Sequence, residues 1–194
     1  TNFREKDLMN GGQGAPIGSF YHKSILEKIN NKGCIINLGG IANITYTNNK
    51  KLISYDMGPA NILIDDLSKY FYNKNYDRNG NVAKKGKIIK NILNKFKNDI
   101  YFKKKYPKSL DRNYFKKFYQ ELITHKPKDA IHTASMMTVE SIIKTLNMLK
   151  EIELIILTGG GRNNFFIKEN LKKKLKYKQM RVMNIDKYGY NGDL

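Results

Sequence analysis

The chain has 194 residues, 40% of them hydrophobic and 11% aromatic, which is enough for an ordinary core and excludes a disordered segment or a stapled mini-protein. One cysteine, Cys34, permits no internal disulfide, and Cys and His together are too few for a four-ligand structural zinc site, so the expected location is cytoplasmic. The formal charge of +19 would suit an acidic partner, but Lys outnumbers Arg by 31 to 5 and Asn and Ile each occur 23 times, the surface that A/T-biased coding produces without any partner.

The first ten residues, TNFREKDLMN, hold neither a signal-peptide core nor an initiator Met, and the expectation is a start inside a longer chain. No apolar run approaches the roughly 18 residues of a membrane span, so no membrane partner is expected. Apolar spacing predicts a helix over 17–30 (IGSFYHKSILEKIN), followed by strand-like CIINLGGIANITYT, split into a hairpin by Gly39 and Gly40. Its second arm, Ile41 to Thr47, meets a turn at Asn48-Asn49-Lys50 and a third strand at Leu52 to Tyr55. Gly58-Pro59 ends that strand, Pro59 suits a first helical position, and Ile62, Leu63, Leu67, Tyr70 and Phe71 form the stripe of the next helix.

Residues 73–128 are rich in Lys, Asn, Tyr and Phe, with helices predicted over 86–100 and 114–124 and a loop around Pro107. Within them KNDIYFKKKYPK interleaves aromatics with lysines, as single-strand-binding surfaces do and as helical cores also do. A nucleic-acid module centred on 84–117 is therefore an alternative reading, which the scarcity of Arg argues against. A long amphipathic helix is predicted from Ala130 to Leu149. A buried strand follows over Glu153–Leu157, running into Thr158-Gly159-Gly160-Gly161, then a helix over Phe165–Leu175 and a last strand.

Three successive strands, a helix, a helical insertion, then strand, helix and strand give an α/β fold matching half of a two-lobed sugar-kinase or actin-like ATPase. The expected lobe is ribonuclease-H-like, a mixed sheet flanked by helices. Glycine turns at strand ends let backbone amides approach phosphate closely. Gly11–Gly14 (GGQG), Gly39–Gly40 and Gly159–Gly161 are such turns, and each taken singly is also an ordinary loop.

The segments FREKDLMNGGQGAP (3–16), NLGGIANIT (37–45), YDMGPANILIDD (55–66), PKSLDR (107–112), LTGGGRNN (157–164) and GYNGD (189–193), in this order, resemble the anhydro-N-acetylmuramic acid kinases. The resemblance covers nearly the whole chain. It implies an enzyme that uses ATP and Mg²⁺ to phosphorylate 1,6-anhydro-N-acetylmuramic acid while water opens the anhydro bond, giving N-acetylmuramic acid 6-phosphate in cell-wall recycling. The implied partners are the sugar and ATP, and a homodimer stays open.

By the same resemblance Asp56, in the segment matching a DxGPxN motif, is the base that takes the proton of the attacking water. An Asp before a Gly-Pro turn also serves as a local cap, and that reading stays open beside it. Asn37, Gly39, Gly40, Asn43 and Thr45 fall in the phosphate-wrapping hairpin, and Gly159, Gly160, Gly161 and Asn163 in the adenosine-side turn. Arg4, Asp7, Gln13, Gly58 and Asn61 fall in sugar-side segments. The expected organisation is an interdomain, sugar-side segment over 1–30 and a nucleotide-binding lobe over 31–194. No metal ligand is assigned to this chain. A glycine- and serine-rich phosphate loop with its metal-associated Asp, and a sugar-site Glu, are expected outside the chain. Two positions depart from the family: Asn2 stands where Asp is usual, and Leu110-Asp111 replaces a small Thr-Gly pair. A catalytically silent sugar or nucleotide binder is the remaining alternative.

Overall fold

The computed structural model describes residues 18–29, 32–48, 51–149 and 151–193. Its strands are β1 (Gly33–Leu38), β2 (Ile41–Asn48), β3 (Lys51–Pro59), β4 (Leu154–Thr158) and β5 (Arg181–Asn184), in the spatial order β3-β2-β1-β4-β5. The three strands joined by short connections pair antiparallel, whereas β4 and β5 run parallel to β1. The near-continuous apolar sequences of β1 and β4 reflect cover on both faces. Cys34, Ile36, Leu38, Ile155 and Leu157 enter the main core, while Ile35, Leu154 and Ile156 enter a second cluster with Ile25, Leu26 and Ile185.

Helix α1 (Ser19–Ile29) covers that second face. Beneath it the buried His22 Nδ1 lies 3.0 Å from Thr45 Oγ1, which lies 2.9 Å from Ser54 Oγ, and Ser54 donates to the Ile44 carbonyl. Burial lowers the His22 pKa to about 4, so the imidazole is neutral at physiological pH. The first face carries α2 (Ile62–Tyr72), α5 (Pro127–Met148) and α6 (Phe165–Leu175), and α3 (Lys90–Lys97) and α4 (Lys116–Leu122) pack beyond them.

Several elements differ from the sequence expectation, each for a local reason. Strand β3 runs on through Asp56 to Pro59, which pairs with Ile41, and α2 begins only at Ile62. Pro59 is therefore a strand terminus, where its missing N–H costs no ladder bond that the edge needs. The 86–100 helix is shorter, Lys90–Lys97, with a separate 3₁₀ turn at Ile100–Lys103 whose first N–H groups are capped by Asp99. Tyr70 is 58% exposed, its ring edge-on to Tyr119, while Leu63 and Leu67 are buried as expected. Helix α5 is buried on nearly all sides because the 73–125 insertion packs on the face it would otherwise show to water.

The lysine–aromatic stretch is partly core, although Tyr106 is 51% exposed. Tyr101 is buried, and Phe96 packs edge-on against Phe102 and Phe118 at 5.1 and 5.4 Å between ring centres. Lys108 is buried too, with its ammonium 4.5 Å from the centre of the Tyr101 ring. Among the described residues no helix is long and apolar enough to cross a membrane.

Candidate active site

Strand direction decides where the chemistry gathers. The C-terminal ends of β1, β3 and β4 and the start of β2 lie at the same end of the sheet, so the turns at Gly39-Gly40 and Gly159–Gly161 leave side by side. Register then aligns a polar row across four strands. Asp56 pairs with Asn43, Asn43 with Asn37, and Asn37 with Thr158. Paired residues in a sheet share a face, so these four side chains stand together on the face that α1 covers only lower down, at His22 and Thr45. Thr158 Oγ1 donates to Asn37 Oδ1 at 3.4 Å. Asn43 Oδ1 is buried and, with Ser68 Oγ, is one of two such atoms among the described residues that lack a hydrogen-bond partner. A buried acceptor left in this way is costly unless a ligand or water completes it.

Asp56 is 7% exposed and held by the segment that passes the outer edge of β3. Its carboxylate Oδ2 accepts from the Leu110 N–H at 2.8 Å, its N–H donates to the Lys108 carbonyl at 3.2 Å, and its carbonyl accepts from the Tyr101 hydroxyl at 2.7 Å. Burial and the Asp56 charge push the Tyr101 phenol up, which keeps that hydroxyl a donor. The Leu110-Asp111 departure is compatible with this arrangement because Leu110 meets Asp56 through its backbone N–H. Asp111 itself caps the 3₁₀ turn at Arg112–Phe115, its carboxylate accepting from Asn113 N–H at 2.7 Å.

A cleft of about 480 Å³ opens beside the second glycine turn, lined by Asn61, Asp65, Tyr76, Arg78, Gly160 and Asn163 among others. The N-cap residues of α2 and α6, Asn61 and Asn164, both border it, the Ile62 N–H donating to the Gly40 carbonyl and the Ile167 N–H to the Asn164 side chain. Burial and the neighbouring Asp66 raise the Asp65 pKa to about 6. The Asp77 carboxylate is engaged by the Val82 and Ala83 N–H groups at 2.9 Å, and Arg78 supplies a cation in the lining.

Gly159 has φ 74° and ψ 166°, a region open only to glycine, and a Cβ there would meet Asn37 Oδ1 and lie 2.8 Å from the Leu38 carbonyl. At Gly40 and Gly160, by contrast, a Cβ would meet nothing within 4 Å. Gly39 and Gly40 do not line the cleft themselves. They brace it through Asn61, whose N–H donates to the Gly39 carbonyl at 3.0 Å and whose Nδ2 donates to the Leu38 carbonyl at 2.8 Å.

The sequence-predicted residues thus divide. Asp56, Asn37 and Asn43 share the row, and Asn61, Gly160, Gly161 and Asn163 share the cleft. Thr45 reaches neither, because its hydroxyl is fully buried in the His22–Ser54 network. Gly58 faces α5, where a Cβ would come within 2.5 Å of Ser141 Cβ, so its glycine identity is a packing requirement. Arg4, Asp7 and Gln13, and the GGQG turn, lie outside the described residues. Thr158, the Leu110 N–H and Arg162 escaped the sequence reading. The motifs LTGGGRNN and PKSLDR contain them, but only register and contact give them work.

The comparisons with known proteins come down on the same side. A family model described as anhydro-N-acetylmuramic acid kinase matches residues 1–194. Curated relatives of that name are 36% identical over 182 residues in Legionella pneumophila (strain Corby) and 35% identical over 206 residues in Pelagibacter ubique (strain HTCC1062). These alignments cover 90% and 99% of this chain but 49% and 53% of the relatives. The chain spans about half the length of the curated relatives it matches. Among solved structures, component A of the Acidaminococcus fermentans (R)-2-hydroxyglutaryl-CoA dehydratase superposes with a TM-score of 0.54 at 12% identity, over 88% of this chain and 62% of that one. The Clostridium difficile activator of 2-hydroxyisocaproyl-CoA dehydratase, with bound ADPNP, gives 0.53 at 13%, over 91% and 60%. Identities this low speak to fold alone, and the fold is that of the actin-like and sugar-kinase ATPases, a mixed five-stranded sheet with flanking helices. With the family model spanning every residue and relatives at a third identity or better, the chain belongs to the anhydro-N-acetylmuramic acid kinase family.

Proposed function

We infer that these residues form the nucleotide-binding lobe of an ATP-dependent kinase that opens the 1,6-anhydro bond of anhydro-N-acetylmuramic acid with water and phosphorylates the freed sixth oxygen. The observation that carries the reading is the polar row Asp56–Asn43–Asn37–Thr158, which ends beside two glycine turns and holds an uncompleted acceptor at Asn43. The fit to a nucleotide is supported by the open space at Gly40 and Gly160 and by the polar lining of the cleft. ATP supplies the phosphoryl group when bound.

In this reading Gly160, Gly161 and Asn163 take the nucleoside side, and Gly39, Gly40, Asn37 and Asn43 take the phosphates. Asp56 accepts the water's proton as the water attacks the anomeric carbon. The Leu110 N–H holds Oδ2 and helps to fix the carboxylate plane from which the proton is accepted. Among the described residues no three His, Cys, Asp or Glu side chains gather around one point.

The reading extends the catalytic unit beyond these residues, to a second lobe carrying a phosphate loop, with the sugar between the lobes and Arg4, Asp7, Gln13 and Asn61 on its near side. Residues 1–194 alone are then expected to bind nucleotide without turning over the sugar. Phosphoryl transfer to anhydro-N-acetylmuramic acid, assayed with residues 1–194 and with the same residues joined to a family first lobe, tests it. Turnover only by the joined protein is the expected result, and no turnover by a folded joined protein would overturn the assignment.

A further inference from the structure

One buried cation near the cleft has no part in the reading above. Arg162 follows the glycine turn, is 6% exposed, and spends its whole guanidinium on two carboxylates and the turn itself. Nε donates to Asp186 Oδ2 at 2.8 Å and Nη2 to Asp186 Oδ1 at 3.1 Å, while Nη1 and Nη2 donate to Asp193 at 2.6 and 3.2 Å. Nη1 also donates to the Gly159 carbonyl at 3.1 Å. The two backbones meet directly as well, Gly159 N–H donating to the Gly192 carbonyl at 2.7 Å. Asp186 and Asp193 belong to the segment after β5, whose Ile185 packs into the second cluster while its two carboxylates reach Arg162.

We propose that Arg162 is a positioning residue, a latch that ties the Gly159–Gly161 turn to the 186–193 segment and thereby fixes the turn in the shape that receives a nucleotide. Three features of the geometry support this. Gly159 adopts a backbone conformation that needs outside contacts to persist, and Arg162 supplies one to its carbonyl from the side chain and, at 3.1 Å, another from its own N–H. A planar five-donor fork can serve two carboxylates and a carbonyl at once, whereas an ammonium cannot. Finally, the Asn184 amide donates to the Arg162 carbonyl at 3.3 Å, so the residue is held on both its main chain and its side chain. The hydrogen bonds and charges of Arg162 hold both carboxylates below their ordinary range, so the latch stays charged at neutral pH.

The inference rests on the nucleotide reading, and the test separates the two. Amide hydrogen exchange and an ADP titration, both followed by NMR on residues 1–194, are compared for wild type, Arg162→Lys and Asp193→Asn. The lysine variant keeps the charge and loses the fork, so exchange at Gly159, Arg162 and Asn164 is expected to quicken about tenfold or more while β1 and α5 amides keep their rates. ADP affinity should fall about tenfold in the same variant. Asp193→Asn, at an exposed side chain that cannot unfold the core, should give a smaller change in the same direction at the same amides. Unchanged exchange at the turn, an equal quickening throughout the sheet, or undiminished ADP affinity with a loosened turn would each overturn the latch. A wild-type chain that takes up no ADP would instead sink the nucleotide reading, and the exchange data would still decide whether Arg162 fixes the turn.

Discussion

Replacing Gly159 and Gly160 separately by alanine pulls apart two reasons for glycine at one turn. At Gly159 the backbone conformation costs a non-glycine residue about 1–3 kcal/mol. The added Cβ would also lie 2.8 Å from the backbone carbonyl of Leu38, a central-strand atom that cannot yield, and overpacking of that kind costs a further 1–3 kcal/mol or so. Gly159→Ala is therefore expected to destabilise the chain by about 2–6 kcal/mol, a large share of the roughly 5–15 kcal/mol that holds a domain together. With a urea slope of about 2 kcal/mol/M, the midpoint falls by about 1–3 M. Gly160 has ordinary backbone angles and nothing within 4 Å of a Cβ, so Gly160→Ala should change stability by less than about 1 kcal/mol, in either direction. It does, however, place a methyl group in the cleft lining and should weaken ADP binding. Urea unfolding of both variants, with ADP titrations on the folded ones, checks the pair. Equal losses of stability would refute the geometric argument, and an alanine at 160 that leaves ADP affinity untouched would remove that wall from the nucleotide site.

Three further outcomes are expected. In a catalytically complete protein Asp56→Asn should lower kcat by about 10²–10⁴-fold with little change in Tm, since the amide oxygen still accepts the Leu110 N–H; near-wild-type turnover would return Asp56 to a capping role. His22 is neutral when folded, with a pKa near 4, and binds a proton near pH 6.5 when unfolded, so the unfolded state takes up more protons between those values. Stability should be complete above about pH 6.5 and fall by roughly 3 kcal/mol as pH drops toward 4, and a His22→Leu chain with the same slope in that window would contradict it. Gly58→Ala should cost about 1–3 kcal/mol by driving a methyl group into Ser141 of α5, and pairing it with Ser141→Gly should return part of that loss in a double-mutant cycle.

The sequence by itself determined the order of elements, the glycine turns and the family, because apolar spacing, β-branched runs and glycine placement are local signals that the neighbouring residues read without help. It also marked Asp56, Asn37 and Asn43 as residues of interest, through the motifs that contain them. Tertiary structure decided the rest. Whether a buried hydroxyl such as Thr45 faces a ligand or a histidine depends on α1, a helix some twenty residues earlier that covers that face of the sheet, and no window around Thr45 contains that information. Gly58 and Gly160 look alike in the sequence, yet one is required by a helix that begins nearly seventy residues later and the other opens on empty space. The lysine-rich insertion carried the loudest charge signal and yet buries Phe96, Tyr101, Phe115 and Phe118 while leaving Tyr76 and Tyr106 exposed, a division set by packing on α5 and not by the pattern along the chain. The alignment of Asp56 with Asn43, Asn37 and Thr158, and the grip of Arg162 on Asp186 and Asp193, arise from strand register and chain crossover, which are properties of pairs distant in sequence and are settled only when the sheet closes.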